Sequence, residues 1–216
     1  MKKILLATAI MGLLVTRAQA DDLSPPPYRG DPLSVEAHWD FTQNVNFLGE
    51  PPDVFNTVGG SGGETLYTGF STHIDFTGGW NWDGVSTINT VGPNSAMGIN
   101  TQNWVDELPL KLLRIQVTYS VLAPIINGIT AQELAGTGGE FNVNGGLLRH
   151  VDVDANNFYE DWQIVPNPDW EQIVISADNS FIHQIDVDTV SIPEPSTFAL
   201  AIFGLLGLGY SRRKRS

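Results

Sequence analysis

No cysteine occurs in the 216 residues, so a disulfide framework, cysteine-ligated zinc and a cysteine nucleophile are all excluded. Positive charge is nearly as scarce where a partner would meet it. Of the 11 Lys and Arg, Lys2, Lys3 and Arg17 lie in the first 20 residues and Arg212, Arg213, Lys214 and Arg215 near the C-terminus, leaving only Arg29, Lys111, Arg114 and Arg149 between. Those four cations face 23 acidic side chains in residues 21–192, a net of −19 before histidine is counted. Phosphate binding needs clustered Lys and Arg, so nucleic acid is disfavoured as a partner, and anionic lipid with it. There is no H-x-H or H-E-x-x-H pattern among His38, His73, His150 and His183, which leaves metal catalysis without a ligand set. No apolar run reaches the roughly 20 residues of an ordinary membrane span.

What is present is concentrated first at the two ends. Lys2 and Lys3 precede an apolar run from Ile4 to Val15, and Ala18-Gln19-Ala20 supplies the small residues of a signal-peptidase site. This predicts a secretory signal peptide over residues 1–20, cleaved after Ala20. At the other end Pro193-Glu194-Pro195 is followed by an apolar run from Phe198 to Tyr210 and the basic tail Arg212, Arg213, Lys214 and Arg215. The prolines end the preceding structure, and the run reads as a short membrane helix whose basic flank stays cytoplasmic.

This tripartite end resembles the PEP-CTERM sorting signal, the segment recognised by an exosortase in the bacterial inner membrane. The resemblance implies that Pro193, Glu194 and Pro195 carry the sorting motif, that residues 193–216 are a transient anchor, and that the protein passes to the cell surface or the exopolysaccharide matrix. The same segment is also labelled the C-terminal region of ice-binding proteins. That label does not transfer an activity, and no regular threonine array is present in this chain.

Between the ends the hydrophobic period is two. Val35, Ala37, Trp39 and Phe41 alternate with polar neighbours, as do Leu113, Ile115, Val117 and Tyr119, which marks half-buried strands. Further strands are expected at 71–76, 140–144, 147–154, 159–165, 171–177 and 181–189. Asn144-Gly145-Gly146 reads as a hairpin turn, and Thr130 to Ala135, with Thr130 and Glu133 at capping-box spacing, as one short helix. The expected fold is all-β: a single antiparallel β-sandwich of jelly-roll type over residues 21–192, plus the C-terminal transmembrane helix. The stretch from Trp162 to Glu171, running on to Thr189, also resembles the ends of PEP-CTERM proteins built on one β-sandwich, a likeness of fold that brings no activity.

Candidate chemistry in the body is thin. Gly59-Gly60-Ser61-Gly62-Gly63 fits G-x-S-x-G by letter but lacks a following helix, so it reads as a loop. Asp152-Val153-Asp154-Ala155-Asn156 starts like a calcium loop, yet Asn157 and Gln163 stand where an EF-hand needs glycine and glutamate. Calcium thus stays open as a ligand of some other geometry. The pairs Asp106-Glu107 and Glu160-Asp161 are sequence neighbours, whose side chains point to opposite faces of a strand and cannot form an acid–base dyad alone. Trp80-Asn81-Trp82-Asp83 is the best binding candidate, because two aromatic rings at i and i+2 with amide and carboxylate groups between suit sugar stacking and hydrogen bonding. The expected function is a non-catalytic surface or matrix protein that meets signal peptidase, exosortase and exopolysaccharide, with Trp80, Trp82 and Asp83 as the sugar contacts. The alternative is a secreted polysaccharide hydrolase or lyase.

Overall fold

The computed structural model describes residues 24–90, 94–132 and 142–193, which are strand and loop without helix. The strands in chain order are β1 (Ser34–Trp39), β2 (Leu48–Glu50), β3 (Val54–Val58), β4 (Thr65–Leu66), β5 (His73–Thr77), β6 (Trp80–Trp82), β7 (Ile88–Thr90) and β8 (Ala96–Gln102). They continue as β9 (Trp104–Val105), β10 (Leu110–Ser120), β11 (Ile125–Gln132), β12 (Asn142–Asn144), β13 (Gly146–Asp154), β14 (Asn157–Ile164), β15 (Trp170–Ser176) and β16 (Phe181–Ile192). The expected helix is corrected: β11 holds Thr130 to Gln132 in a strand, and 133–135 fall outside the described residues. Pairing of Thr130, Ala131 and Gln132 with Gln172, Glu171 and Trp170 of β15 holds the segment extended, so the Thr130–Glu133 spacing is not a capping box here.

The first sheet has the order β13-β14-β10-β16-β1-β3, with β7 on β16 and β6 on β7, and the second the order β12-β11-β15-β8-β5-β2. Every pairing is antiparallel. The strands β1, β8, β10, β11, β12, β13, β14, β15 and β16 change sheets at every step except β11 to β12 and β13 to β14, so the two sheets are interleaved along the chain. One hydrophobic cluster joins Leu113, Ile115, Val117, Ile185 and Val187 of the first sheet to Met97, Ile99, Ile173 and Ile175 of the second. Alternation puts these residues inward and their polar neighbours outward, which explains why so many β-branched residues at period two fold this way.

The Asn144-Gly145-Gly146 hairpin is also corrected. Strand β12 pairs with β11 in the second sheet while β13 pairs with β14 in the first, so this glycine pair is a corner between sheets. A Cβ at Gly145 would stand 3.1 Å from the Ile129 Cβ and 3.4 Å from the Trp162 ring. Close approach of two layers, rather than turn geometry, is what demands glycine there.

Candidate functional site

The register of the central strands gives the domain two distinct ends. Leu110 opposes Ile192, and Ser120 opposes Phe181, so the chain leaves β16 for the sorting segment at one end and the loops after β10 lie at the other. At about 3.3 Å per residue the 11-residue β10 separates them by roughly 35 Å. The far end gathers β6, β7, the loop 121–124 and the loop 177–180. An open groove there is lined by Leu122, Ala123, Ile125, Ser176 and Asp178. Val121, a β-branched residue at φ 76°, sits in the left-handed region at the tip of this loop, a conformation that such residues rarely adopt. Val121, Leu122 and Ile125 are all exposed.

Trp80 and Trp82 lie on β6 at this same end and are half-buried against the core. Their polar edges face inward. The Trp80 indole N–H donates to the carbonyls of Thr77 and Ala96 at 2.9 and 3.2 Å, and the Trp82 N–H to Phe41 O at 2.9 Å. Asp83 Oδ1 accepts the backbone N–H groups of Val85, Ser86 and Thr87. Burial, the largest single influence, raises its pKa, but these three bonds together with the Thr87 hydroxyl outweigh it and the net shift is downward. One oxygen of Asp83 is therefore committed to shaping the turn that carries the rings.

The structure adds a group that no sequence motif marks. His183 Nε2 lies 2.9 Å from Ser120 Oγ, and its Nδ1 lies 2.9 Å from Thr87 Oγ1. Because Asp83 can only accept, a Thr87 proton directed to Asp83 leaves Oγ1 to accept from Nδ1–H and Nε2 to accept the Ser120 proton. Burial lowers the His183 pKa against the opposing pull of Asp83, a shift that favours the neutral ring. Ser120 and His183 are 63 residues apart, and only the β10–β16 pairing brings them together.

The outward face of the first sheet is a dense ionic layer. Arg29 pairs with Asp188 and with Glu36, the latter at 3.2 Å. Arg114 is bidentate to Asp161 at 2.7 and 3.0 Å and lies 4.0 Å from the centre of the Tyr159 ring, while Arg149 meets the same carboxylate at 2.5 Å. Burial pushes Asp188 up to about 6 against the pull of Arg29. At Asp161 the two guanidinium groups outweigh the burial cost and hold the pKa down. His38 Nδ1 lies 2.6 Å from Asp186; burial opposes its charge, but that bond and the charges of Asp186, Asp40 and Asp53 raise the pKa. Three of the four body cations are thus spent on internal carboxylates.

The fourth, Lys111, lies between the sheets at the end nearer the sorting segment, 1% exposed. It continues the inward row Leu113, Ile115, Val117, just as Glu171 continues Ile173 and Ile175 and Thr189 continues Ile185 and Val187. Burial lowers Lys111 to about 8 despite the charges of Glu171, Asp106 and Asp169, and raises Glu171 to about 7 despite Lys111 and Asn103. Asn103 Nδ2 donates to Glu171 Oε2, and Thr189 Oγ1 donates to Asn103 Oδ1 at 3.0 Å. The sequence signal for this cluster is a charged residue placed in phase with an apolar alternation.

The remaining sequence candidates are distributed among turns and pairs. The glycine loop after β3 is tied by Glu64, which accepts Gly62 N–H at 3.0 Å, and no helix follows. Asp154 caps the β13–β14 turn through Asn156 N–H and Asn157 Nδ2, and Asp152 lies 3.2 Å from His150 Nε2. Glu160 binds His150 and Trp162 while Asp161 binds the arginines. Asp106 accepts from Leu108 N–H and Asn167 Nδ2. Among the described residues no group of three or more His, Asp or Glu is arranged to hold a metal ion, and no helix is long and apolar enough to cross a membrane. Ala18, Ala20, Glu194, Pro195, the expected membrane helix, Arg212, Arg213, Lys214 and Arg215 lie outside the described residues, whereas Pro193 directly follows β16.

No curated protein matches the chain. A family profile described as the PEP-CTERM protein-sorting motif matches residues 191–215. The match begins at Ser191, within β16, and Pro193 directly follows that strand. The chain carries a PEP-CTERM sorting signal and is an exported protein handled by an exosortase.

Proposed function

We propose that the sandwich is a non-catalytic display domain of the cell surface or exopolysaccharide matrix, holding glycan at the end farthest from its sorting segment. The observation that carries this reading is the β10–β16 register, which sets Ile192 and Phe181 at opposite ends of one strand pair. A domain held through its C-terminus would therefore direct the Trp80–Asp83 turn and the groove of Leu122, Ile125, Ser176 and Asp178 outward. Apolar carbon beside hydroxyl and carboxylate groups suits a sugar ring, which offers both C–H and O–H faces. With Arg29, Arg114 and Arg149 paired internally and Lys111 buried, an acidic polysaccharide would be repelled, so the ligand is a neutral glycan or one bridged by a cation such as calcium. One or two contact rings give about 4 to 6 kcal/mol, a Kd of roughly tens of micromolar to millimolar.

The test is titration of the exported protein with neutral and acidic polysaccharides, with and without calcium. Saturable binding that weakens in Trp80→Ala or Trp82→Ala at unchanged circular dichroism is expected; no binding under any condition rejects the glycan reading. For sorting, replacement of Pro193, Glu194 and Pro195 by alanine, or loss of Arg212 to Arg215, is expected to leave unprocessed protein in the membrane fraction. A wild-type distribution would reject the assignment of the motif to those residues.

The Ser120–His183 contact specifically favours a second reading, hydrolysis of ester substituents on a matrix polysaccharide. A fluorophosphonate probe that labels the wild type and not Ser120→Ala would favour that reading, and an unlabelled wild type would reject it.

A further inference from the structure

We propose that Lys111 and Asn103 join through an intramolecular isopeptide bond formed by the folded domain itself. An amine, a primary amide, a carboxyl and a hydroxyl lie buried at the same end of the interior, the last three joined by hydrogen bonds and the amine near enough for its charge to act on the carboxyl. Lys111 supplies the amine and is 1% exposed; Asn103 and Glu171 are 0% exposed. The Asn103 amide is held at both ends: Nδ2 donates to Glu171 Oε2 from the second sheet, and Oδ1 accepts from the Thr189 hydroxyl of the first. The other oxygen, Glu171 Oε1, is buried and makes no hydrogen bond, an expensive arrangement unless that oxygen has a task. Burial has already moved the two titrating groups toward their neutral forms, since the lysine is lowered to about 8 and the carboxyl raised to about 7. A neutral amine attacks, and a neutral carboxyl delivers a proton.

The step balances without an outside reagent. The Nζ lone pair of Lys111 attacks Cγ of Asn103, and the carbonyl electrons move to Oδ1, where the Thr189 hydroxyl donates a hydrogen bond. Glu171 accepts a proton from Nζ and delivers one to Nδ2. The Cγ–Nδ2 bond breaks, the carbonyl re-forms and ammonia leaves. A primary amide and an amine have become a secondary amide, which closes the crossover 103–111 between β8 and β10 into a ring. An exported chain with no cysteine would in this way hold a covalent staple that needs no oxidant. Asn167 is the competing electrophile, but its Nδ2 is bonded to Asp106 and Ser191 rather than to Glu171.

Peptide mass spectrometry of the full chain, denatured and cut after acidic residues, decides the matter. Asp106 and Glu107 lie between the two partners, so cleavage separates the Asn103 and Lys111 peptides unless they are bonded. The expected product is the two peptides joined, with loss of one ammonia, in the wild type and in neither Lys111→Arg nor Glu171→Gln. Two separate, unmodified peptides from the wild type overturn the proposal whatever the variants do. A link mapped to Asn167, or loss of water with a link to an aspartate, overturns the assignment to Asn103. Because the decisive sample is the wild type, a variant that fails to fold does not blur the result.

Discussion

At the end of the interior nearer the sorting segment, the inward positions of β10, β15, β8 and β16 are Lys111, Glu171, Thr101 and Thr189, all 1% exposed or less. Four to six residues away along the same strands, on the same faces, stand Val117, Ile175, Met97 and Ile185, equally buried and wholly apolar. Strand type, register and burial are shared, so neither period nor burial separates the two ends. Their energetics differ in kind: the apolar end is held by area removed from water and close contact, whereas the polar end gains little unless every partner is in place.

Breaking one partner at the polar end should produce the largest effect. Glu171→Leu removes the carboxyl that bond formation needs, leaves an unbonded Lys111 amine facing an apolar neighbour, and is expected to cost at least about 3 to 5 kcal/mol. Adding Lys111→Met should recover at least half of that loss. A double-mutant cycle from urea denaturation checks this, and additive losses would show that the pair is not coupled. At the apolar end Ile115→Ala, at a site that is 0% exposed, should cost about 2 to 5 kcal/mol by emptying a packed volume, and no second substitution at the polar end should rescue it.

Next in size is the turn that carries the rings. Asp83→Ala frees three backbone N–H groups and should lower stability by about 1 kcal/mol while leaving the fold intact. Chemical-shift changes confined to residues 80–90 would check it, and changes spreading through β10 would contradict it.

The smallest effect concerns pH. His38 has a raised folded pKa because its bond to Asp186 and the nearby charges outweigh burial. Its contribution is therefore present in full below the unfolded value near 6.5 and is lost as pH rises through the folded pKa. His38→Gln should flatten the decline of stability as pH rises above about 6.5, an effect of less than about 1 kcal/mol. The raised carboxyls act in the same direction at lower pH: Asp188 and Glu171 lose stability as pH climbs from their unfolded values to about 6 and about 7.

The sequence carried the fold class well because the long strands alternate cleanly; β1, β10, β14, β15 and β16 lie within a few residues of where Val35, Leu113, Tyr159, Glu171 and Phe181 place them. It did not disclose β8, whose Ala96, Gly98 and Asn100 are poor strand formers held by β5 and β15 on either side. It misplaced Gly145 because a glycine demanded by close packing of layers looks the same as one demanded by a turn. The candidate sites show the same division. Trp80 and Trp82 are visible in the sequence as a local pattern, while Ser120 with His183, and Lys111 with Asn103 and Glu171, are assembled by strands far apart in the chain. The sorting segment, matched over residues 191–215, was readable because an address is linear by nature.

The route from sandwich to sorting segment has a mechanical consequence. Strand β16 lies between β1 and β10, in register with both, and its last residue is Ile192. Tension applied through the C-terminus runs along the axis of a central strand, across ladders whose hydrogen bonds lie perpendicular to it. Such a pull must shear the two ladders together, and cannot unzip them one bond at a time as a pull on an edge strand would. The same placement makes the last of the described strands a central one, so the first sheet closes only after the chain has emerged as far as Ile192.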